Sequence, residues 1–188
     1  VDMSPEDNQW FSDGISDNIL TYLSQIKELS VISFTSSSTY MNTDKKIPEI
    51  AKELGVSYIL EGSITVYEDK IKINTQLINA NDEHVWSEDY IVAFDDVIKI
   101  QQNISEQIVK ELEITLNQEE EIAIKKYPTQ NMEAYQLVIK GRSIASSRNS
   151  KDLVKSIELY EKAAKLDTNY AEAYAELAQS HFLLINRR

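Results

Sequence analysis

Between Glu53 and Trp86 the chain reads ELGVSYILEGSITVYEDKIKINTQLINANDEHVW, a run that few folds accommodate. Ser57 to Tyr67 and Lys70 to Asn79 both alternate with the period of two expected of strands. Tyr58, Leu60, Ile64 and Val66 share one face with Gly62, and Ile71, Ile73, Thr75 and Leu77 share one face of the next segment. Glu68-Asp69 stands between them at hairpin spacing, so the pair should be antiparallel. A polar turn over Asn79 to Glu83 leads to a third strand, His84 to Val92, with Trp86, Tyr90 and Val92 on one face. Gly62 inside a strand points to a bulge or a close backbone approach. Glu61 beside it is an acid in an apolar strand. Acid–base chemistry needs a partner group, and no neighbour supplies one, so Glu61 reads as an edge or outward-facing residue.

What precedes this run should pack on the sheet. After a polar loop over residues 1 to 11, Ser12 reads as an N-cap with Asp13 in the first turn. Ile15, Ile19, Leu20, Leu23 and Ile26 then recur at helical spacing. Leu29 to Phe34, LSVISF, is short and apolar and reads as a buried strand. The hydroxyl run Thr35 to Thr39 has neither the glycines nor the lysine of a phosphate loop and reads as a connection. A helix over Asp44 to Leu54 follows, with Pro48 in its first turn and Gly55 at the left-handed position that ends it.

After the sheet, Asp95-Asp96 should cap a long helix carrying Val97, Ile100, Ile104, Ile108 and Leu112, with Leu116 continuing the stripe. A charged stretch over Asn117 to Lys126 precedes Tyr127-Pro128-Thr129, where the helical pattern breaks and a domain boundary is expected. From Asn131 the pattern is helical only. Three helices are predicted, over Met132 to about Ser146, Leu153 to Leu166, and Ala171 to about Ile185. Small residues at Ala163, Ala164 and Ala178 permit close helix approach.

Composition narrows the chemistry. The net charge of −12 disfavours direct binding to nucleic acid or an anionic membrane surface. With no cysteine there is no disulfide, thiolate nucleophile or thiolate metal site. The two histidines, His84 and His181, have no metal-ligand spacing around them. No apolar run is long enough to span a bilayer. The opening at Val1-Asp2-Met3-Ser4-Pro5 and the helical pattern running into Arg187-Arg188 lead to the expectation that the chain is a piece of a longer parent.

Two families are called up by particular residues. Tyr160-Glu161-Lys162-Ala163-Ala164-Lys165-Leu166-Asp167-Thr168-Asn169-Tyr170-Ala171-Glu172-Ala173-Tyr174-Ala175-Glu176-Leu177-Ala178 resembles the junction of two tetratricopeptide repeats, with Thr168 where that family usually has proline. Four further pieces resemble the TolB amino-terminal-like domain, which is related to FlgO-type domains. They are Trp10 to Ile15, Lys52 to Ile64, Gln76 to Ala80 and His84 to Tyr90. That module often precedes tetratricopeptide repeats in bacterial signalling proteins, among them adenylate cyclases, CadC-like regulators and kinases. The family's usual first strand, ending in proline-phenylalanine, is missing from the sequence given. The resulting fold class is α/β, a mixed sheet with an antiparallel three-strand meander packed by helices, followed by an all-α tetratricopeptide-type segment. Residues 1–126 form the first domain; residues 127–188 hold one atypical repeat and the first helix of a second.

The resemblance implies a non-catalytic sensing and interaction module, needing no cofactor or metal, with any catalytic activity residing in a domain outside the chain. By repeat position, Glu133, Gln136, Lys140 and Ser143 on the first repeat helix and Glu172 and Gln179 on the next would face a groove for a protein or peptide partner. Self-association through the truncated sheet edge or the incomplete repeat is a further expectation. The alternative is a small-ligand sensor that regulates an attached cyclase, kinase or DNA-binding domain. The resemblance favours the extracytoplasmic, periplasmic side of a membrane-anchored parent over the cytoplasm.

Overall fold

The computed structural model describes the backbone of residues 5–67 and 70–186, with side chains from residue 9 and without that of Tyr67. The hairpin turn expected at Glu68-Asp69 lies outside the described residues, as do the chain's first four residues and Arg187-Arg188. The chain divides into two units: 15–126, and a second that gathers 5–14 with 127–186. The described residues include eight α-helices, two short 3₁₀ helices and three strands.

In the first unit, strands β1 (Tyr58–Tyr67), β2 (Lys70–Asn79) and β3 (His84–Ala93) form one sheet in the order β1-β2-β3. Both pairings are antiparallel, with Ile64 opposite Ile73 and Ile73 opposite Tyr90. The period-two pattern sorts the residues as expected: Ile71, Ile73, Thr75 and Leu77 are buried. The opposite face is a polar carpet. Asn74 bridges Ser63 and Asp89, and Gln76 Nε2 donates to Glu61 Oε2 at 3.0 Å. Glu61 is therefore exposed and outward-facing.

Several expectations need correction. The sheet is antiparallel throughout rather than mixed, because Leu29 to Phe34 forms no strand. A strand exists only where a neighbour completes its ladder, and β1, β2 and β3 pair only among themselves. Phe34 instead starts α2 (Phe34–Ser37), followed by a 3₁₀ turn over Ser38–Tyr40. The hydroxyls of Ser37, Ser38 and Thr39 donate to carbonyls one turn back. Gly62 marks a close approach and no bulge: a Cβ there would lie 2.5 Å from the Asn74 carbonyl oxygen. The register shift comes instead at Leu77/Ile78, where Trp86 pairs with Leu77 and His84 with Ile78, leaving Val85 extra.

Helix α1 (Pro5–Leu23) begins earlier than expected, so Ser12 is an interior residue and no cap. Proline suits a helix start, and full burial of Phe11 with the Gln9–Asp13 bond of 2.7 Å draws the polar turn into the helix. Helix α3 (Ile47–Leu54) begins three residues later than expected, with Pro48 in its first turn. Gly55 then takes φ +68°, and the N–H groups of Gly55 and Val56 both donate to the Ala51 carbonyl. Nothing lies within 4 Å of a Cβ at Gly55. Gly55→Ala is thus a clean measure of left-handed strain, expected to cost about 1 kcal/mol in urea denaturation.

Helix α4 (Val97–Glu111) packs against β3 and buries Val97, Ile104 and Ile108. Asp96 sits at its N-cap position, but its side chain pairs with Lys99 rather than capping. The helix stops at Glu111 because Glu113 turns left-handed, at φ 54°, so Leu116 lies beyond the stripe expected to include it. The charged stretch that follows is a helix in its own right, α5 (Gln118–Lys125), opened by a capping box. Asn117 Oδ1 accepts from the N–H groups of Glu119 and Glu120. Glu120 accepts from Asn117 N–H at 2.9 Å and from Lys27 N–H at 3.0 Å, joining segments 93 residues apart.

These backbone donors, that of Lys27 first, hold the Glu120 carboxyl below the usual carboxylate range. A depressed folded-state pKa contributes stability that is complete above the unfolded carboxylate's pKa and is lost as pH falls through the folded value. Glu120→Gln should therefore destabilise the first unit at neutral pH and flatten its stability loss in the acid range. Urea midpoints taken from pH 7 downward in the two proteins would check this.

Candidate functional site

The second unit is built from α6 (Met132–Ala145), α7 (Ser150–Leu166) and α8 (Ala171–Ile185), with residues 5–14 of α1. Asn131 and Asn149 cap α6 and α7 by accepting from the N–H groups of Ala134 and Asp152. The core is made of small and aromatic groups: Ala134 and Val138 of α6, Tyr160, Ala163 and Ala164 of α7, and Tyr170 and Ala173. Alanines let the helix axes approach, and the tyrosine rings fill what remains. Gly141 has the same role on α6, since a Cβ there would lie 2.4 Å from the Tyr160 ring.

A polar staple closes one end. Thr129, buried, donates from its hydroxyl to Asp167 Oδ2 at 2.6 Å, and accepts from Asn131 N–H at 3.0 Å. Asp167 also accepts from Asn169 N–H. The Thr129 hydroxyl, then this N–H, hold its carboxyl below the usual range.

The main electrostatic feature joins α6 to α8. Arg142 Nε donates to Glu176 Oε1 at 2.6 Å and Arg142 Nη2 to Glu172 Oε2 at 3.0 Å. Tyr170 donates to the same Glu172 oxygen at 3.4 Å. Burial works against the guanidinium charge, and the two carboxylates more than compensate, so the Arg142 pKa rises. Burial, then Glu172, push the Tyr170 phenol up; burial, then Glu176, do the same for Tyr160. An arginine held between two carboxylates is committed to them and offers little to an anionic ligand. The cluster ties α6 to α8.

The six residues singled out from the sequence fall as follows. Glu133, Gln136, Lys140 and Ser143 lie at spacings of three, four and three along α6 and so share one face. Glu133 and Ser143 are exposed, and Gln136 and Lys140 half-buried. Lys140 Nζ stands 5.4 Å from the centroid of the Trp10 ring. On α8, Gln179 is exposed, whereas Glu172 is held by Arg142. Sequence reasoning missed Arg142, Glu176 and Thr129. The available signal was Glu172 and Glu176 at i, i+4, two acids on one helix face that call for a cation between them. Among the described residues no cluster of histidine, aspartate and glutamate has the geometry of a metal site, and no helix is long and apolar enough to cross a membrane.

No family model matches the chain. It is 31% identical over 170 residues to "Putative adenylate cyclase 3" of Rhizobium meliloti (strain 1021). The match takes in 90% of this chain and 29% of that relative's length. The chain thus corresponds to less than a third of a protein named for a signalling enzyme.

Proposed function

We propose that the chain is a non-catalytic sensing and protein-interaction module of a larger bacterial signalling protein, associated with an adenylate cyclase. The observation that carries this reading is the match itself: it takes in nearly all of this chain and leaves most of the cyclase-named relative outside it. In this reading residues 1–126 are a TolB amino-terminal-like domain. Residues 127–186 are tetratricopeptide-type helices, a reading favoured by alanines and tyrosines meeting at the α6–α7 and α7–α8 packing. The partner is a protein or peptide lying along the face of Glu133, Gln136 and Ser143 and reaching Gln179. Glu172 contributes by fixing Arg142 rather than by contact.

Two measurements test this. The purified chain, incubated with ATP and divalent metal, should form no cyclic AMP; turnover would overturn the non-catalytic reading. A displayed peptide library panned on the chain should enrich one sequence class. The variant Glu133→Ala/Gln136→Ala/Ser143→Ala/Gln179→Ala should bind that class about tenfold more weakly or worse. Unchanged binding by the variant, or no enrichment, would sink the groove assignment.

A further inference from the structure

Part of the α6 face is already occupied. Within the second unit, α1 lays Gly14 against Ile139 so closely that a Cβ on Gly14 would come within 2.0 Å of Ile139 Cγ2. One turn earlier Trp10 takes Lys140 over its ring, and Phe11, edge-on to Trp10 at 5.8 Å between centroids, is fully buried. An aromatic pair followed by a glycine three residues on is the pattern of a helix made to lie close on another helix: two bulky anchors, then a gap for the neighbour's side chain. The interior glycine costs α1 helix propensity, and the close seat on Ile139 accounts for it. Lys140 lies on the same face of α6 as Glu133, Gln136 and Ser143, so a partner that spreads along that face meets α1 there.

We propose that residues 9–14 of α1 are a removable plug, an autoinhibitory helix seated in cis on α6 that an amphipathic helix of the same Trp-Phe-x-x-Gly pattern can replace. This deepens the partner reading and names the regulation of that surface. The seat is made by the N-terminal turns of α1, close to a helix terminus, where local opening is least costly.

The test uses the full chain. Trp10 and Trp86 are its two tryptophans, so Trp86→Phe leaves Trp10 as sole emitter. In that background Gly14→Ala should red-shift Trp10 emission and raise its acrylamide quenching severalfold, even though alanine is the better helix former. The same variant should bind a labelled peptide of this chain's residues 5–18, which the unsubstituted chain should not. Adding Ile139→Ala removes the obstructing methyl and should reseat α1, restoring quenching protection and abolishing peptide binding. Phe11→Ser opens the seat by loss of contact instead of collision, and should gain peptide binding too, independently of how Gly14→Ala folds. Protected Trp10 in Gly14→Ala, or equal peptide binding by the open and closed proteins, would overturn the plug. Failure of the library panning with peptide capture by Gly14→Ala intact would count against the partner reading and leave the plug standing.

Discussion

Arg142→Met is expected to destabilise the second unit by about 3 kcal/mol, at the lower end of what breaking a buried ion pair costs. The reduction reflects partial solvent access, since the side chains of Arg142, Glu172 and Glu176 are 24%, 37% and 22% exposed. Methionine keeps the stem's packing, so the loss reports charge rather than volume. What it leaves behind is worse than a missing bond. Glu172 and Glu176 lie at i, i+4 on α8 with their carboxylates drawn inward, and without the guanidinium they repel each other beside the Tyr170 ring. Adding Glu172→Gln and Glu176→Gln removes that repulsion, so the triple variant should recover at least half of the loss. Urea denaturation followed by Trp10 emission in the Trp86→Phe background reads the second unit alone, because Trp10 belongs to it and Trp86 to the first. Strict additivity of the three substitutions would show that the groups do not act together.

Which parts of this fold were legible in the sequence follows from what a residue pattern encodes. Period-two alternation reports a half-buried strand directly, and it placed β1, β2 and β3 together with their facing residues. Gly55 was legible for a local reason, the left-handed step after a helix. Partnership between distant segments was not. LSVISF has the composition of a strand, yet no ladder receives it, and composition carries no record of a neighbour. Glu120 looked like one acid in a charged stretch, and its second hydrogen bond goes to Lys27, far away in the chain. The start of α1 was missed because its first turns are polar, and burial of Phe11 decides the matter. On α6 the four-residue face could be drawn from spacing alone, but neither Trp10 over Lys140 nor Arg142 reaching α8 is a property of α6's own sequence.

Tyr160 separates two contributions that usually move together, and its two simplest substitutions should have opposite signs. Its ring is fully buried, against Gly141 and among the alanines of the helical core. Tyr160→Ala should cost about 4 kcal/mol, the range for deleting a buried aromatic ring, because α6 cannot follow the retreating side chain without uncovering Ala134 and Val138. The hydroxyl is a different matter. Among the described residues it has no hydrogen-bond partner, although Glu176 is close enough to hinder its ionisation. A buried hydroxyl that exchanges water for nothing is a net loss. Tyr160→Phe should therefore raise stability by about 1 kcal/mol, less than the full desolvation penalty because the vacated atom leaves a small void. The same Trp10-monitored urea curves distinguish the cases. A Tyr160→Phe protein less stable than its parent would mean that the hydroxyl is satisfied by an ordered water linking it to the Arg142–Glu176 pair, and the ion cluster would then extend one residue further into the core.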